Sequence, residues 1–420
     1  MNRRFLELIG VAAVLVAVVL ILRFVRAPVD TQTQAGNATA GAAATPGRTP
    51  ATPWGEPDLQ GIWTRDSDEP LQRPAKYGTK EFLTDEERVA LDKQIAAIVG
   101  READESRRQR GTEQDVGGAY NAAIFTSHLR TGRRTSMIVD PADGHIPPFT
   151  PEEQKRRSEL KEYSLALLQS TEVCKNKLPA CADGKYGPPS PRRAETPPTY
   201  LTNAIIGSGG GTISRSDGPE DRGNSERCMA AALPDFTGFR RIVQSPGQVS
   251  IFYDVGQGQG WQRVVPITTA PHLPANVRQW WGDPRGRWEG KTLVVDVTNF
   301  SPKSNFQGAR ENLHLVERWT RLDAATIEYV VTVEDPTVWT KPWTAKHELK
   351  RQSDEANRIY SEPRCHEGNY GMVALLAGAR TAERAFAEGR GPDPARVCLG
   401  GCGGFAGGFA DEGDDANPLR

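Results

Sequence analysis

The chain has 420 residues, and its 52 Lys and Arg residues nearly balance its 53 Asp and Glu residues. This balance leaves no basic field of the kind that attracts nucleic acid, so we expect no nucleic-acid partner. Apolar residues make up 37% of the chain, whereas Gly (42) and Pro (31) are frequent, which indicates a modest core with long connections.

An uncharged run near the N-terminus, Leu8–Leu22, lies between two pairs of arginines. The run is short for a membrane-spanning helix and long for the apolar part of a signal peptide. Snorkelling arginines would extend it to a bilayer's thickness, and no small-x-small cleavage site follows closely. The pattern favours a signal anchor at 1–26 over a cleaved signal peptide. With the anchor retained, we expect a single-pass inner-membrane protein that contacts the membrane through this helix and has its folded domain in the periplasm.

Composition predicts the segments that follow the anchor. Residues 27–53 are rich in Ala, Gly, Thr, Gln and Pro and are predicted to form a disordered linker. An α-rich and loop-rich extension is predicted over 54–245, with a first barrel strand near 58–65. Within it, residues 172–235 are rich in Gly, Pro and Ser and indicate a long loop, either functional or disordered.

Two helices and one short strand are predicted inside the extension. A capping box at Thr84–Glu87 starts a helix that runs to about Glu102. Met137–Val139 is predicted as a short strand that leads into an Asp-Pro and Asp-Gly turn. Thr150 then caps a second helix, which begins with Pro151 and runs to about Gln169.

An antiparallel sheet is predicted over 246–368, because strand patterns follow one another without an intervening helix. The fold class is therefore mainly β, an antiparallel meander or calycin-like barrel. A C-terminal helix is predicted at 369–390 and a disordered tail at 391–420. The predicted strands are Gln248–Val255, Trp261–Ile267, Arg285–Trp288, Lys291–Phe300, Leu313–Thr320, Thr326–Glu334, Val338–Arg351 and Arg358–Arg364.

One hairpin can be registered by matching the apolar faces of 313–320 and 326–334. The match places Glu317 on the apolar face opposite Tyr329, and Arg318 opposite Glu328 on the outer face. A carboxylate that faces a barrel interior is costly unless it is paired, and desolvation favours its use as an acid or base. Glu317 is therefore a candidate catalytic residue with Tyr329 as a ligand-binding residue. The alternative is a structural ion pair between Glu317 and a nearby Arg or Lys.

A second catalytic candidate is His366 with Glu367, where an imidazole and a carboxylate stand beside a glycine. Tyr370 occupies the place of the second His in HExxH, so the pattern does not predict a metalloprotease. A general base is one interpretation. The other is that both are turn residues that hold Cys365 and the start of the next helix.

The loop before the strand at 285–288 carries five candidate ligand-binding residues. Paired tryptophans can stack on a sugar, a steroid-like ring or an aromatic molecule, and an arginine can bind an anionic group. Seven of the nine tryptophans lie between 261 and 343, which is consistent either with an aromatic-lined cavity or with a packed core. The five residues are His272, Arg278, Trp280, Trp281 and Asp283.

Six cysteines in an exported chain are compatible with three disulfides of undetermined connectivity. Local loops would be closed by Cys174 with Cys181 and by Cys398 with Cys402, which leaves Cys228 and Cys365 for a long-range bond. The chain has no CxxC pair and does not cluster its histidines, so we expect no metal. We also expect no cofactor.

Five stretches together resemble a family of exported bacterial proteins, and the resemblance covers about 54–388. It implies an exported location and a shared fold, and it supplies no catalytic residues. Residues 121–129 are less aromatic than the family pattern, and the Gly-rich tail departs from it. The stretches are RTSMIVDPADGHIPPFTPE (134–152), ERC (226–228), PHLPANVRQWWGDPRGRWEGKTLVVDVTNF (271–300), ENLHLVERWTRLDAATIEYVVTVEDPTVWTKPWT (311–344) and CHEGNYGM (365–372).

A second, weaker resemblance is to lipocalin or calycin-like barrels. Gly61-x-Trp63 is similar to the opening strand motif of lipocalins, whose Trp closes one end of the barrel, and a helix after the last strand fits the same pattern. The sequence thus leads to a first hypothesis, an extracytoplasmic binding protein for a small apolar or aromatic molecule. The alternative is a cofactor-independent hydrolase, lyase or isomerase with a Glu or His base, and a third is a structural role for the long loop.

Overall fold

The computed structural model of the chain describes residues 50–108, 130–196, 215–222, 227–228, 233–236, 239–256, 259–353 and 370–397. All of them belong to one compact unit, Gly47–Arg420. The predicted signal anchor, most of the predicted linker and tail, the predicted strand Arg358–Arg364, and the candidates His366 and Glu367 lie outside the described residues.

Strands account for most of the regular structure that is described. They are β1 (Gly61–Thr64), β2 (Ser67–Asp68), β3 (Arg130–Thr131), β4 (Ile138–Asp140), β5 (Phe239–Ser245), β6 (Gln248–Gly256), β7 (Gln259–Pro266), β8 (Asp283–Glu289), β9 (Thr292–Thr298), β10 (His314–Arg321), β11 (Thr326–Glu334) and β12 (Trp343–Arg351). The helices are α1 (Asp85–Arg108), α2 (Pro151–Leu168), α3 (Glu172–Lys175) and α4 (Tyr370–Ala387).

Nine strands follow one antiparallel path in the order β7-β6-β5-β1-β12-β11-β10-β9-β8, and β4 pairs with β12 beside that path. The two ends of the path meet, because Ile267 forms a parallel bridge with Gly286 and the N–H of Thr268 donates to the carbonyl of Gly286 at 3.0 Å. The sheet is therefore a nearly closed barrel, as the mainly β prediction required. β1 completes it by pairing with both β5 and β12.

The meeting of β7 and β8, which we call the seam, depends on a glycine. A Cβ atom at Gly286 would lie 2.8 Å from Ile267 Cδ1 and 2.9 Å from Val265 Cγ1. Real Cβ atoms do not approach this closely, so only glycine lets the end of β7 lie against β8. The seam is thus held at a single close contact, in contrast to the continuous ladders elsewhere on the path.

Alternating side chains fill the barrel interior. In β10, every second residue is buried, namely Leu315, Glu317, Trp319 and Arg321. The same alternation in the neighbouring strands builds one apolar core, which includes Trp63, Ile251, Leu293, Val295, Val297, Ile327, Val331, Trp343 and Leu349. The interior of the described barrel is packed by its own side chains, as in other small barrels.

The predicted register between β10 and β11 is wrong by two residues. Glu317 pairs with Val331 rather than with Tyr329, and Tyr329 pairs with Trp319. Because side chains alternate with a period of two, the slip leaves every residue on the face that was predicted. The predicted pair of Arg318 with Glu328 is also wrong, because Arg318 Nη1 contacts Glu289 Oε2 at 2.9 Å.

Strand β5 was not predicted, although it pairs with β1 and β6. The predicted strand Val338–Arg351 is shorter in the structure, since Val338 lies in a turn before β12 and Trp339 forms an isolated bridge with Phe149. The other strands from β6 to β11 lie within about two residues of their predicted positions, and β4 is shifted by one residue from Met137–Val139.

Both predicted helix starts carry the expected hydrogen bonds. At α1, the N–H of Thr84 donates to Glu87 Oε2 at 2.7 Å, and the N–H of Glu87 donates to Thr84 Oγ1 at 3.3 Å, which is a complete capping box. At α2, the N–H of Glu153 donates to Thr150 Oγ1 at 3.2 Å. None of the helices in the described ranges is both long and apolar enough to cross a membrane.

The predicted disulfide between Cys174 and Cys181 is present, with the Cα atoms 5.1 Å apart. It lies in a small apolar cluster with Leu168 and Val173, separate from the barrel core. Cys228 is also disulfide-bonded, and its partner lies outside the described residues, as do Cys365, Cys398 and Cys402.

Candidate functional site

A buried ion pair crosses the barrel interior. Arg263 on β7 is 4% exposed and Glu317 on β10 is fully buried. Arg263 Nη1 lies 2.7 Å from Glu317 Oε2, although the angle between the groups is not that of a hydrogen bond. The hydroxyl of Tyr329 donates to Glu317 Oε1 at 2.9 Å, and Arg263 Nη2 donates to the hydroxyl oxygen of Tyr253 at 3.0 Å. Four strands thus contribute to one row of polar groups.

The electrostatics of this row keep its phenols neutral and its arginine charged. Burial raises the pKa of Tyr329 well above its ordinary value, and the charge of Glu317 raises it further. The pKa of Tyr253 is raised as well, again chiefly by burial. Burial alone would lower the pKa of Arg263, but Glu317 and Tyr253 outweigh burial and the net pKa is raised. The two phenols therefore serve as hydrogen-bonding groups rather than as bases.

His347 on β12 continues the row. The imidazole is 2% exposed, and neither ring nitrogen has a hydrogen-bond partner in the part of the chain that the structure describes. It packs edge-on against Tyr329 at 5.5 Å and against Phe236 at 5.8 Å between ring centroids. Burial lowers the pKa of His347 well below its ordinary value, and Arg240 and Arg65 lower it further. The ring is therefore neutral near pH 7, with one donor and one acceptor nitrogen.

A second buried arginine lies on β5, at the side of the barrel next to His347. Arg240 is fully buried, and its Nη2 lies 3.2 Å from Asp235 Oδ2. Its guanidinium carbon is 5.5 Å from the centre of the Tyr253 ring. Each of the buried arginines Arg240 and Arg263 is thus matched by a carboxylate, as burial of a charge requires.

An aromatic stack leads from this row to the partly exposed loop before β8. The rings of Tyr253 and Trp261 are stacked with centroids 4.9 Å apart, and Trp261 stacks on Trp281 at 5.6 Å. Trp261 is 6% exposed, whereas Trp281 and its neighbour Trp280 are half-buried. The indole nitrogens of Trp261 and Trp281 are buried and have no hydrogen-bond partner among the described residues. We call these three rings the aromatic stack.

The loop that carries Trp281 is held to the outside of the barrel by His272 and Asp283. His272 Nδ1 lies 3.1 Å from Asp283 Oδ2, and its Nε2 lies 2.8 Å from Asp296 Oδ1. Asp283 also accepts hydrogen bonds from the N–H of Leu273 at 2.9 Å and from Arg285 Nη1 at 2.6 Å. These predicted ligand-binding residues therefore position the loop rather than line the interior.

Arg278, predicted to bind an anionic group, is also engaged by the backbone. Its Nη1 donates to the carbonyl of Glu311 at 2.5 Å and to the carbonyl of Phe300 at 3.3 Å. It lies on an exposed part of the loop. Within the described ranges, no three His, Cys, Asp or Glu side chains are arranged to hold a metal ion.

The structure therefore divides the predicted site residues into two groups. Glu317, Tyr329 and Trp281 contribute to the row and the aromatic stack, whereas His272, Arg278 and Asp283 fasten the loop outside. Four members of the row were not selected from the sequence, namely Tyr253, Arg263, Arg240 and His347. The signal that was available for Arg263 is its position between Trp261 and Val265 on the apolar face of a strand.

A small open depression lies elsewhere on the molecule, between α1 and the strands β2 and β3. Its walls include Tyr77, Leu83, Leu91 and Arg134. No member of the row or of the aromatic stack contributes to it. We place the candidate site at the aromatic stack instead, because the stack connects the partly exposed loop to the buried Arg263–Glu317 pair.

Comparison of the chain with protein-family models and with curated protein sequences gives no match.

Proposed function

We propose that this protein binds a small aromatic molecule at the aromatic stack. The observation that carries the proposal is the stack itself, which connects the half-buried Trp281 to the barrel interior through Trp261. Both indole N–H groups are buried without an acceptor among the described residues, as are those of Trp288, Trp319, Trp339 and Trp343. Buried polar groups in folded proteins almost always have partners, and those that lack one need an explanation. A bound molecule that lies against the Trp261 and Trp281 rings would supply both an aromatic face and acceptors.

The position of the stack supports access for a ligand. Trp261 belongs to β7, and Trp281 immediately precedes the glycine that leads into β8. These are the two strands whose backbones meet at the seam, where the Ile267–Gly286 bridge replaces a ladder. The half-buried Trp280 and Trp281 lie on the loop, whereas the interior beyond Tyr253 is packed by side chains. We therefore place the ligand on the side of the stack that faces the loop.

Native mass spectrometry of the full chain, purified from an oxidising compartment, tests the proposal. We expect a retained small molecule, or saturation transfer in the NMR spectrum from added ethylbenzene or acetophenone. Trp281→Ala should remove the binding, whereas Trp54→Ala should retain it, because Trp54 is exposed and contacts Glu56 outside the barrel. A bare protein mass together with no saturation transfer from either probe would refute the proposal.

The same proposal includes a location outside the cytoplasm. Two of its supports are the Cys174–Cys181 disulfide and the disulfide-bonded Cys228, because disulfides persist in oxidising compartments. We also propose that the barrel is calycin-like. Trp63 is fully buried on β1, the guanidinium of Arg321 lies over its ring at 4.8 Å, and α4 follows the barrel strands, which supports that assignment.

A second candidate function is acid–base chemistry by a hydrolase, lyase or isomerase. The observation that favours it is His347, a neutral imidazole without a hydrogen-bond partner in the described part of the chain, beside the Tyr329–Glu317 pair. A neutral imidazole is a competent general base. Turnover of a ligand found by mass spectrometry should then fall in His347→Phe and persist in the surface control His145→Phe. Equal rates for the two variants would exclude His347 as the base.

A further inference from the structure

The aromatic stack and the arginine behind it offer several donors, while the acceptor beside them, Glu317 Oε2, makes no hydrogen bond to a described residue but lies 2.7 Å from Arg263 Nη1. Trp261 Nε1, Trp281 Nε1 and Arg263 Nε are buried and have no hydrogen-bond partner among the described residues. An indole nitrogen and a guanidinium nitrogen can only donate. Trp261 and Arg263 are themselves more than nine-tenths buried, so water does not freely reach these groups.

The three donors lie along one row of stacked rings. Trp261 stacks on Tyr253 at 4.9 Å, Trp281 stacks on Trp261 at 5.6 Å, and the guanidinium carbon of Arg263 lies 5.7 Å from the centre of the Tyr253 ring. Trp261 and Arg263 also share the inward face of β7, two residues apart. A ligand that stacks beside Trp261 therefore lies within reach of a cluster of donors.

The charge balance decides which kind of acceptor fits. Arg263 is already neutralised by Glu317, and Arg240 by Asp235. An anionic ligand group would add a buried charge without a counter-charge, which is strongly unfavourable in a packed interior. A neutral carbonyl oxygen accepts two hydrogen bonds and adds no net charge.

We infer that the molecule bound at the aromatic stack is an uncharged aromatic compound that carries a carbonyl oxygen, such as an aryl ketone, ester, amide or quinone. The inference rests on the proposed function and adds the chemical class of its ligand. The aromatic part lies against Trp281 and Trp261, and the carbonyl accepts from one or two of the donors Trp261 Nε1, Trp281 Nε1 and Arg263 Nε.

Three probes of nearly equal shape test the inference by calorimetric titration of the full chain. Acetophenone carries the carbonyl, ethylbenzene replaces it with a methylene group, and benzoate replaces it with a carboxylate. One gained hydrogen bond corresponds to about threefold to tenfold in affinity. We therefore expect acetophenone to bind at least about threefold more tightly than ethylbenzene, and benzoate to bind more weakly than both.

Variants identify the donors. Trp281→Phe and Trp261→Phe each keep an aromatic ring and remove one N–H, so at least one should lower the ratio of the acetophenone affinity to the ethylbenzene affinity. Trp281→Phe is the safer variant because Trp281 is only half-buried. Trp54→Phe serves as the control.

The outcomes separate the two proposals. Binding of ethylbenzene and acetophenone with equal affinity would overturn the inference and leave the binding function standing. Tightest binding of benzoate would also overturn it, because the site would then accept an anion. Failure of all three probes to bind would overturn both.

Discussion

At the scale of single residues, the buried Arg263–Glu317 pair sets the character of the barrel interior. Both charges are removed from water, and their mutual attraction must offset that cost. Such pairs contribute little net stability compared with well-packed apolar residues, but removal of one partner leaves a bare charge. The pair is therefore a point where single and double substitutions should differ in a measurable way.

We predict that Arg263→Met alone lowers the free energy of unfolding by about 3–5 kcal/mol, because Glu317 is then buried without its counter-charge. The double variant Arg263→Met with Glu317→Leu should recover most of the loss. Urea denaturation of the wild type, the single variant and the double variant measures the free energy of unfolding of each. If the double variant is as unstable as the single one, packing around Arg263 and not its charge is the cause.

A second prediction concerns the pH dependence of stability through His347. Burial, with Arg240 and Arg65 nearby, lowers the pKa of His347 in the folded protein, whereas the unfolded chain keeps the ordinary value of 6.5. Below pH 6.5 the unfolded state binds a proton that the folded state does not, so acid favours unfolding. Stability from this group is fully present above pH 6.5 and falls by up to about 1.4 kcal/mol per pH unit below it.

The variant His347→Leu isolates this contribution, because it removes the titrating group and keeps an apolar side chain in the space. The difference in unfolding free energy between wild type and variant should be constant from pH 7 to 8 and should shift in favour of the variant from pH 6.5 to 5. A difference that does not change with pH would show that the pKa of His347 is not lowered in the folded protein.

Sequence patterns could identify one partner of the buried pair and not the other. Glu317 interrupts a clear apolar face between Leu315 and Trp319, so its inward position followed from alternation alone. The position of Arg263 follows the same rule, yet an arginine on a strand is ordinarily solvent-exposed. The partner that makes its burial tolerable lies on β10, and nothing local to β7 reveals it.

At the scale of elements, the seam between β7 and β8 differs from every other junction on the barrel path. The other neighbours share antiparallel ladders, whereas these strands share the Ile267–Gly286 bridge. The close approach requires that residue 286 has no side chain. A substitution of Gly286 therefore tests how much the close approach of β7 and β8 contributes to stability.

We predict that Gly286→Ala destabilises the protein by about 1–3 kcal/mol, because its methyl group would overlap Val265 and Ile267. Gly378→Ala in α4 is the matched control. Its Cβ meets nothing within 4 Å, and alanine in a helix is favoured over glycine by about 0.5–1 kcal/mol. Thermal unfolding followed by circular dichroism compares the two. Equal melting temperatures for both variants would mean that the seam tolerates a Cβ atom.

The strands show where pattern reasoning succeeds and where it fails. β10 and β11 alternate between buried and partly exposed residues along most of their length, and their positions were predicted closely. β5 reads FRRIVQS, and its buried face contains Arg240 and Gln244 beside Ile242, so its alternation is not apolar. The register error has a related cause, because a shift of two residues preserves both faces and only the hydrogen bonds distinguish it.

At the scale of the whole molecule, a large apolar cluster and a smaller one around the Cys174–Cys181 bond are separate from each other. The larger one fills the barrel, and the smaller one joins the end of α2 to α3 around the Cys174–Cys181 bond. No residue is shared by the two clusters. The smaller centre should therefore depend on its disulfide without the barrel doing so.

We predict that Cys174→Ser with Cys181→Ser loosens the smaller centre by about 2–3 kcal/mol, the value expected for a short closed loop. Hydrogen–deuterium exchange should then increase in peptides that cover 165–184. Peptides from β9 and β10 should keep their protection and serve as the internal control. Loss of protection in those strands would show that the two centres unfold together.

The position of β1 has a consequence for the time at which the barrel forms. Trp63 pairs with Arg351 on one side and with Arg240 on the other. Strand β1 therefore cannot complete its pairing until β12, which comes almost 300 residues later in the chain, has been synthesised. Strands that are distant in sequence lose the conformational entropy of the intervening chain before their contacts stabilise the fold, which makes folding slow. As the chain is synthesised, β1 emerges long before β12 exists. Until β12 is made, β1 lacks one of its two neighbours, so the nascent chain depends on the cell to keep an open sheet from aggregating.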